Sequence, residues 1–329
     1  MSGSIIKAKR FIRKKQRQMH DLVSGTCAVL LYHRITDIPT DPQLLAVHPD
    51  NFNRHLATLK AEYNLLTIDE FKDHLLNKKK FPKNSVVITF DDGYADNYIE
   101  ALPLLKTYNA QALFYIATGT LNTSTEFWWD AVERIILLST AQPTEKTLTI
   151  GERTFSLYVN DKDAALKLYD SLLPVLRNMP SYERETYIAR LAKLFNSETG
   201  RLSHRAMTFD ELKKMHASSN AVIGAHTHLH PSLGALNYEQ QLIEIKESKD
   251  ILEKILQTTI THFSYPFGTS HDYNNHTLDI CRSLQFQLVA ANIPELVRHE
   301  SDPLQFPRFL VRNWDEKEFH SHMKQIFQA

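Results

Sequence analysis

The chain has 329 residues, 43% of them apolar, with 38 basic and 38 acidic side chains. That length and apolar content bury a sizeable core and exclude a disordered or fibrous protein. The charge balance gives no reason to expect nucleic acid as a partner, and two cysteines, Cys27 and Cys281, exclude a disulfide framework or a cysteine-ligated zinc cluster.

Residues 1–26 form a basic leader. Lys7, Lys9, Arg10, Arg13, Lys14, Lys15 and Arg17 occur there without an acid in the first twenty residues, and the continuous apolar stretch of a secretory signal is missing. No later apolar run reaches the ~18 residues of a membrane span, so the reading is cytoplasmic. Residues 5–19 also carry Ile5, Ile6, Phe11, Ile12 and Met19. A solvated tail is the simpler account of them; a weakly amphipathic helix resting on the anionic inner face of a membrane is the other.

From Cys27 to Tyr32 the sequence CAVLLY predicts a strand buried on both faces, ending at His33 and Arg34. Phe52, Leu56 and Leu59 predict a helix, and Thr67 with Glu70 a capping box opening a second one through Leu76. Ser85 to Phe90, SVVITF, predicts a strand ending in Asp91-Asp92-Gly93, followed by a helix carrying Tyr98, Leu102 and Leu105 and a strand over 111–117. Strands alternating with amphipathic helices imply parallel βα units, in an open sheet or a barrel, with functional groups at the strand ends.

The rhythm changes over residues 123–204, where Phe127-Trp128-Trp129 opens a helix, residues 147–159 form a hairpin around Gly151, and two helical stretches follow. This reads as a mainly helical insertion between a first part, 27–122, and a second part, 205–329, of one domain. The second part has a capping box at Thr208 and Glu211, a short strand over 221–224, a long helix through Leu242 and Ile255, and strands over 262–265 and 286–291.

Two groups of residues carry chemistry: Asp91-Asp92 and His226-Thr227-His228-Leu229-His230. Adjacent carboxylates repel unless a cation or donors stand near. Two imidazoles and one carboxylate suit catalytic zinc or a related divalent ion, with a second carboxylate free to take a proton from attacking water. His226 and His230 share a face if their segment is helical; His226, His228 and His230 share one if it is extended.

These residues resemble the polysaccharide deacetylase family of NodB homology, whose T-F-D-D-G and H-[ST]-x-x-H motifs stand complete and in order at Thr89–Gly93 and His226–His230. Leu30–Ile35, residues 52–59 and Phe263–Gly268 are similar to that family too. The resemblance implies an irregular (β/α) barrel holding one divalent ion, most simply Zn2+, on Asp92, His226 and His230, with Asp91 as catalytic base. It also implies an arginine where this chain has Ser264, for which Arg308 in Pro307-Arg308 is the substitute, and a C-terminal histidine acid, for which His33 is the substitute. The implied reaction removes N-acetyl groups from a GlcNAc-type amino sugar in glycan or glycolipid biosynthesis, and a cytoplasmic location favours a small nucleotide-linked or lipid-linked substrate. The alternatives are a hydrolase of another amide or O-acetyl ester, and a non-catalytic carbohydrate-binding protein. Trp128 and Trp129 read first as helix packing, and Tyr265, Phe267 and Trp314 are further candidates for a sugar-stacking wall.

Overall fold

In chain order the strands are β1 (Cys27–Tyr32), β2 (Arg34–Ile35), β3 (Ala46–Val47), β4 (Asn64–Leu65), β5 (Ser85–Phe90), β6 (Ala112–Ile116), β7 (Thr147–Ile150), β8 (Arg153–Ser156), β9 (Ala221–Ala225), β10 (His262–Ser264), β11 (Leu288–Ala290) and β12 (Phe309–Leu310). The helices are α1 (Pro49–Glu62), α2 (Ile68–Leu76), α3 (Leu102–Thr107), α4 (Trp128–Leu137), α5 (Lys162–Arg177), α6 (Ser181–Leu194), α7 (Phe209–His216), α8 (Tyr238–Leu256), α9 (Asn275–Ser283) and α10 (Glu316–Gln328). This computed structural model describes residues 25–139, 143–197 and 199–328. The basic segment 5–19, with its expected membrane contact, lies outside the described residues.

Eight strands make one sheet in the order β11-β10-β9-β6-β5-β1-β12, with β4 on the start of β5. Every pairing in it is parallel. β1 and β5 are buried at every position, which is why both read as unbroken apolar runs rather than alternating ones. They pair from Cys27 opposite Ser85 to Tyr32 opposite Phe90, so their next residues, His33 and Asp91, emerge on the same rim. The ring closes through an irregular strip: Ala290 bridges Phe306, Val289 N donates to Pro303 O, and the chain then joins β1 as β12. The sheet is thus a curled, irregular barrel.

Capping boxes start α2 at Thr67 and α7 at Thr208, each with its glutamate three residues on. Asn97–Ala101 is a π turn that leads into α3, so the helix expected there begins wider than an α-helix. Between β6 and β9, α4, the β7–β8 hairpin, α5 and α6 pack on one another through Val132, Ile136, Leu148, Leu172 and Leu191, all buried.

Candidate metal and catalytic site

Because the sheet is parallel, the carboxyl ends of its strands gather polar groups on one rim. His33 follows β1, Asp91 and Asp92 follow β5, His226 follows β9, and Ser264 ends β10. His33, Asp91, Asp92 and His226 meet at a cavity of about 250 Å³ lined also by Trp129, Arg177, Phe267 and Arg312.

Asp91 is clamped by Arg308. The guanidinium donates from Nη1 to Oδ1 at 2.7 Å and from Nη2 to Oδ2 at 2.8 Å, the two-pronged geometry that makes arginine–carboxylate pairs strong. Its remaining donors reach Ser264 Oγ at 2.8 Å, Thr89 Oγ1 at 3.2 Å and Ala291 O at 3.2 Å, and Ser264 Oγ donates to Asp91 at 3.3 Å. Ser264 therefore occupies the place of the arginine that the resemblance implies, and the guanidinium arrives from the strip that closes the barrel. Burial would raise the Asp91 carboxyl, but the charge of Arg308, followed by His226, outweighs it and holds the group below the ordinary carboxylate range.

Asp92 has the opposite environment. Burial first, then repulsion from Asp91 and Asp130, pushes its carboxyl well above the usual value, and its Oδ1 is buried with no hydrogen-bond partner. That oxygen lies 3.6 Å from His226 Nε2 and 3.4 Å from His230 Nε2. Ligand atoms of the three side chains fall within 4.8 Å of one another. Burial lowers both imidazoles, favouring the neutral form that binds metal. His226 Nδ1 donates to Ser264 O at 2.8 Å, leaving Nε2 to face Asp92. The orphaned oxygen and the two neutral imidazoles fit a divalent ion; His230 Nδ1 has no partner of this kind.

The histidine segment is neither helix nor strand. Thr227 and His230 adopt positive φ, 63° and 54°, as does Asp92 at 76°, a costly conformation for side-chain-bearing residues that gathers at functional sites. The turn brings the His226 and His230 rings to 4.8 Å and sends His228 to Thr118 Oγ1 at 2.9 Å. Thr227 Oγ1 accepts from His230 N at 3.1 Å, while Glu244 accepts from His228 N and Leu229 N. The insertion completes this support: Arg184, fully buried, donates to Leu229 O at 2.5 Å and His230 O at 3.4 Å and lies over the Trp128 ring.

His33 lines the cavity with its Nδ1 unpartnered. Burial, with Arg308, His226 and Arg312 against the opposing pull of Asp91, lowers it to about 4. Trp129 packs on His230 with centroids 4.6 Å apart and donates Nε1 to Tyr94 Oη, whose hydroxyl is given to Asp130. Phe267 meets His230 edge-on. Two aromatic candidates do not line the cleft: Tyr265 is buried with its hydroxyl on Leu304 O and its ring on Tyr273, and Trp314 stacks on His322. Tyr265 follows a core strand and Trp314 precedes a helix, so packing takes both rings. Arg177, Arg184 and Arg312 carried no signal in the sequence beyond being basic residues on amphipathic or strand-like segments.

The profile of the family described as Polysaccharide deacetylase matches residues 78–137 and 192–289, leaving out 138–191 within the insertion. Bacillus subtilis YxkH is 37% identical over 89 residues, 27% of this chain and 30% of that protein. A Staphylococcus aureus poly-beta-1,6-N-acetyl-D-glucosamine N-deacetylase is 39% identical over 75 residues, 22% of this chain and 26% of that protein. The match thus spans less than a third of the length of these curated relatives. Among solved structures, the Streptococcus pyogenes deacetylase PplD has a TM-score of 0.59 at 21% identity over 91% of this chain and 99% of that one. IcaB of Ammonifex degensii has 0.59 at 18% over 93% and 98%, so both share the barrel fold with this protein. With the profile match spanning Asp91, Asp92, His226 and His230, the chain belongs to the polysaccharide deacetylase family.

Proposed function

We propose that the protein is a metal-dependent N-deacetylase of a GlcNAc-type amino sugar. The observation that carries this reading is the pairing of opposites at one rim: Asp91 kept ionised by Arg308, beside a separate buried cluster in which an Asp92 oxygen without a hydrogen-bond partner faces the imidazoles of His226 and His230. A non-catalytic binding protein has no need of an ionised, fully clamped carboxylate next to such a cluster. The Staphylococcus aureus and Escherichia coli relatives named for N-deacetylation of poly-beta-1,6-N-acetyl-D-glucosamine support the choice of bond.

Asp92, His226 and His230 would hold the ion, which when bound supplies Lewis-acid polarisation and a more acidic water. Asp91, ionised at neutral pH, accepts a proton as water attacks the acetamide carbon. The C–N bond of the tetrahedral adduct then breaks, and the amine leaves with that proton. His33 is placed to relay it: an imidazole lowered to about 4 is neutral at rest and a ready donor once protonated. Trp129 and Phe267 wall the cleft and keep bulk water from the imidazoles.

The cleft, at about 250 Å³, is below the usual range of ligand pockets, which suits a single sugar carried by a nucleotide or lipid. Buried Cys27 and Cys281, neither in a disulfide, suit a reducing compartment, and cell fractionation tests that placement. The activity test is acetate release from N-acetylglucosamine, its oligomers, UDP-N-acetylglucosamine and a lipid-linked form, each with and without chelator. Chelator-sensitive release from any of them is the expected result; release unaffected by chelator refutes metal dependence.

A further inference from the structure

Two guanidinium groups, distinct from the buried Arg308, open onto the cleft, and neither belongs to the aspartate or histidine motif. Arg312 follows β12, and Arg177 ends α5 of the insertion; both line the cavity shared by His33, Asp91 and Asp92. Asp91 is already neutralised by Arg308, and Asp92 belongs to the cluster that a cation would balance, so neither carboxylate offsets these two charges.

Arg312 is half-buried, and burial works against its charged form, with Asp41 opposing that from a distance. Its Nη1 donates to the main-chain oxygens of Gln43 and Leu44, and among the described residues it makes no ion pair. Arg177 pairs through Nη2 with Asp272, but that carboxylate is shared with Ser232 Oγ, Thr269 N and Thr269 Oγ1. Arg177 Nε is buried and unpartnered, and the guanidinium lies 3.9 Å from the centroid of Phe267, which itself touches His230. A partly desolvated cation is costly when it has no ion pair, as Arg312, or shares its one carboxylate with other donors, as Arg177. An arriving oxyanion removes that cost, and a guanidinium offers it a planar, two-pronged fork.

We propose that the cleft takes an acetamido sugar carrying a phosphate, held by Arg312 and Arg177 while the acetamide faces Asp91. The inference rests on the deacetylase reading and narrows its substrate class. It also explains what the insertion contributes, since α5 brings one of the two cations to the rim.

The test is calorimetry on the metal-loaded full chain with two deacetylated ligands that differ in one group, glucosamine 1-phosphate and methyl glucosaminide. The phosphate-bearing sugar is expected to bind about tenfold more tightly. Arg312→Gln and Arg177→Gln should each erode that preference and Arg312→Lys restore part of it, with circular dichroism checking the fold; if Arg177→Gln unfolds, Arg312→Gln alone is read, and a preference unchanged there overturns the proposal. Equal affinity for the two ligands overturns the proposal. So does a preference that survives the double glutamine variant, because the phosphate would then sit on the metal. Muramic acid tests a carboxylate as the oxyanion, and tighter binding than glucosamine 1-phosphate overturns the assignment to phosphate. Acetate release from N-acetylglucosamine 1-phosphate and the neutral methyl glycoside is measured in parallel. No acetate from either, with the phosphate preference intact, sinks the deacetylase reading alone; release from both, with no binding preference, sinks the anion site alone.

Discussion

Arg308→Gln should destabilise the protein in a way that depends on pH, because the arginine serves the charge of Asp91 more than the packing of the barrel. Both partners are buried and joined by two hydrogen bonds of 2.7 and 2.8 Å. Removing one member of such a pair costs about 3–5 kcal/mol, most of it from the charge left behind. In the native protein the Asp91 carboxyl is depressed, so its contribution to stability is present above the unfolded value of about 3.9 and is lost as pH falls through the folded value. In the variant, burial and the neighbouring Asp92 are no longer opposed by Arg308, and the folded value rises above the unfolded one. Asp91 then relieves its own burial by taking up a proton at ~1.4 kcal/mol per unit of pH. The deficit relative to the native chain should therefore be small near pH 4 and grow toward pH 8, where a drop in melting temperature of about 4–7 °C is expected. Thermal denaturation of chelator-treated protein across that range measures it. A deficit constant with pH, or one that deepens toward acid, refutes the assignment of Arg308 as the group that keeps Asp91 charged.

Asp92→Ala should abolish both metal uptake and turnover, whereas Asp91→Asn should bind metal and lose about 10²–10⁴ in kcat; equilibrium dialysis and acetate assays separate the two. Zinc at 100 times its dissociation constant should stabilise the native chain by about 2.7 kcal/mol against urea, and leave Asp92→Ala unmoved. Arg184→Met, which keeps bulk against Trp128 but frees the carbonyls of Leu229 and His230, should weaken metal affinity about 10–100-fold, read by competition with a chromophoric chelator. Unchanged affinity there would mean that the histidine turn holds itself.

What could be seen in the sequence was local. β1 and β5 stood out because strands covered on both faces are apolar at every position, and α2 and α7 because a threonine and a glutamate three apart close a capping box. The two carboxylates were conspicuous as neighbours, and the histidines as a cluster. What stayed hidden was which distant groups would answer them. Arg308 lies 217 residues from Asp91, and nothing within Phe306–Val311 says that its side chain turns inward. Arg184 and Arg177 sit on amphipathic helices where arginine usually faces water. The choice between helix and strand at His226–His230 had no right answer, since a bend through two left-handed residues made the pair. The short helix α9 and terminal α10 went unread because each buries few side chains, Phe319 and Met323 in the case of α10.

The closing strip 303–310 stitches the last strand to the first, and the same strip carries Arg308. During synthesis, β1, β5 and their two aspartates leave the ribosome long before that strip exists, and the early segments begin to collapse while the acids have no counter-charge. The nascent chain must hold them hydrated or protonated until that strip arrives. Ring closure and charge neutralisation then happen in one event. Such long-range closure predicts slow maturation, with acidity during refolding favouring the unclosed form.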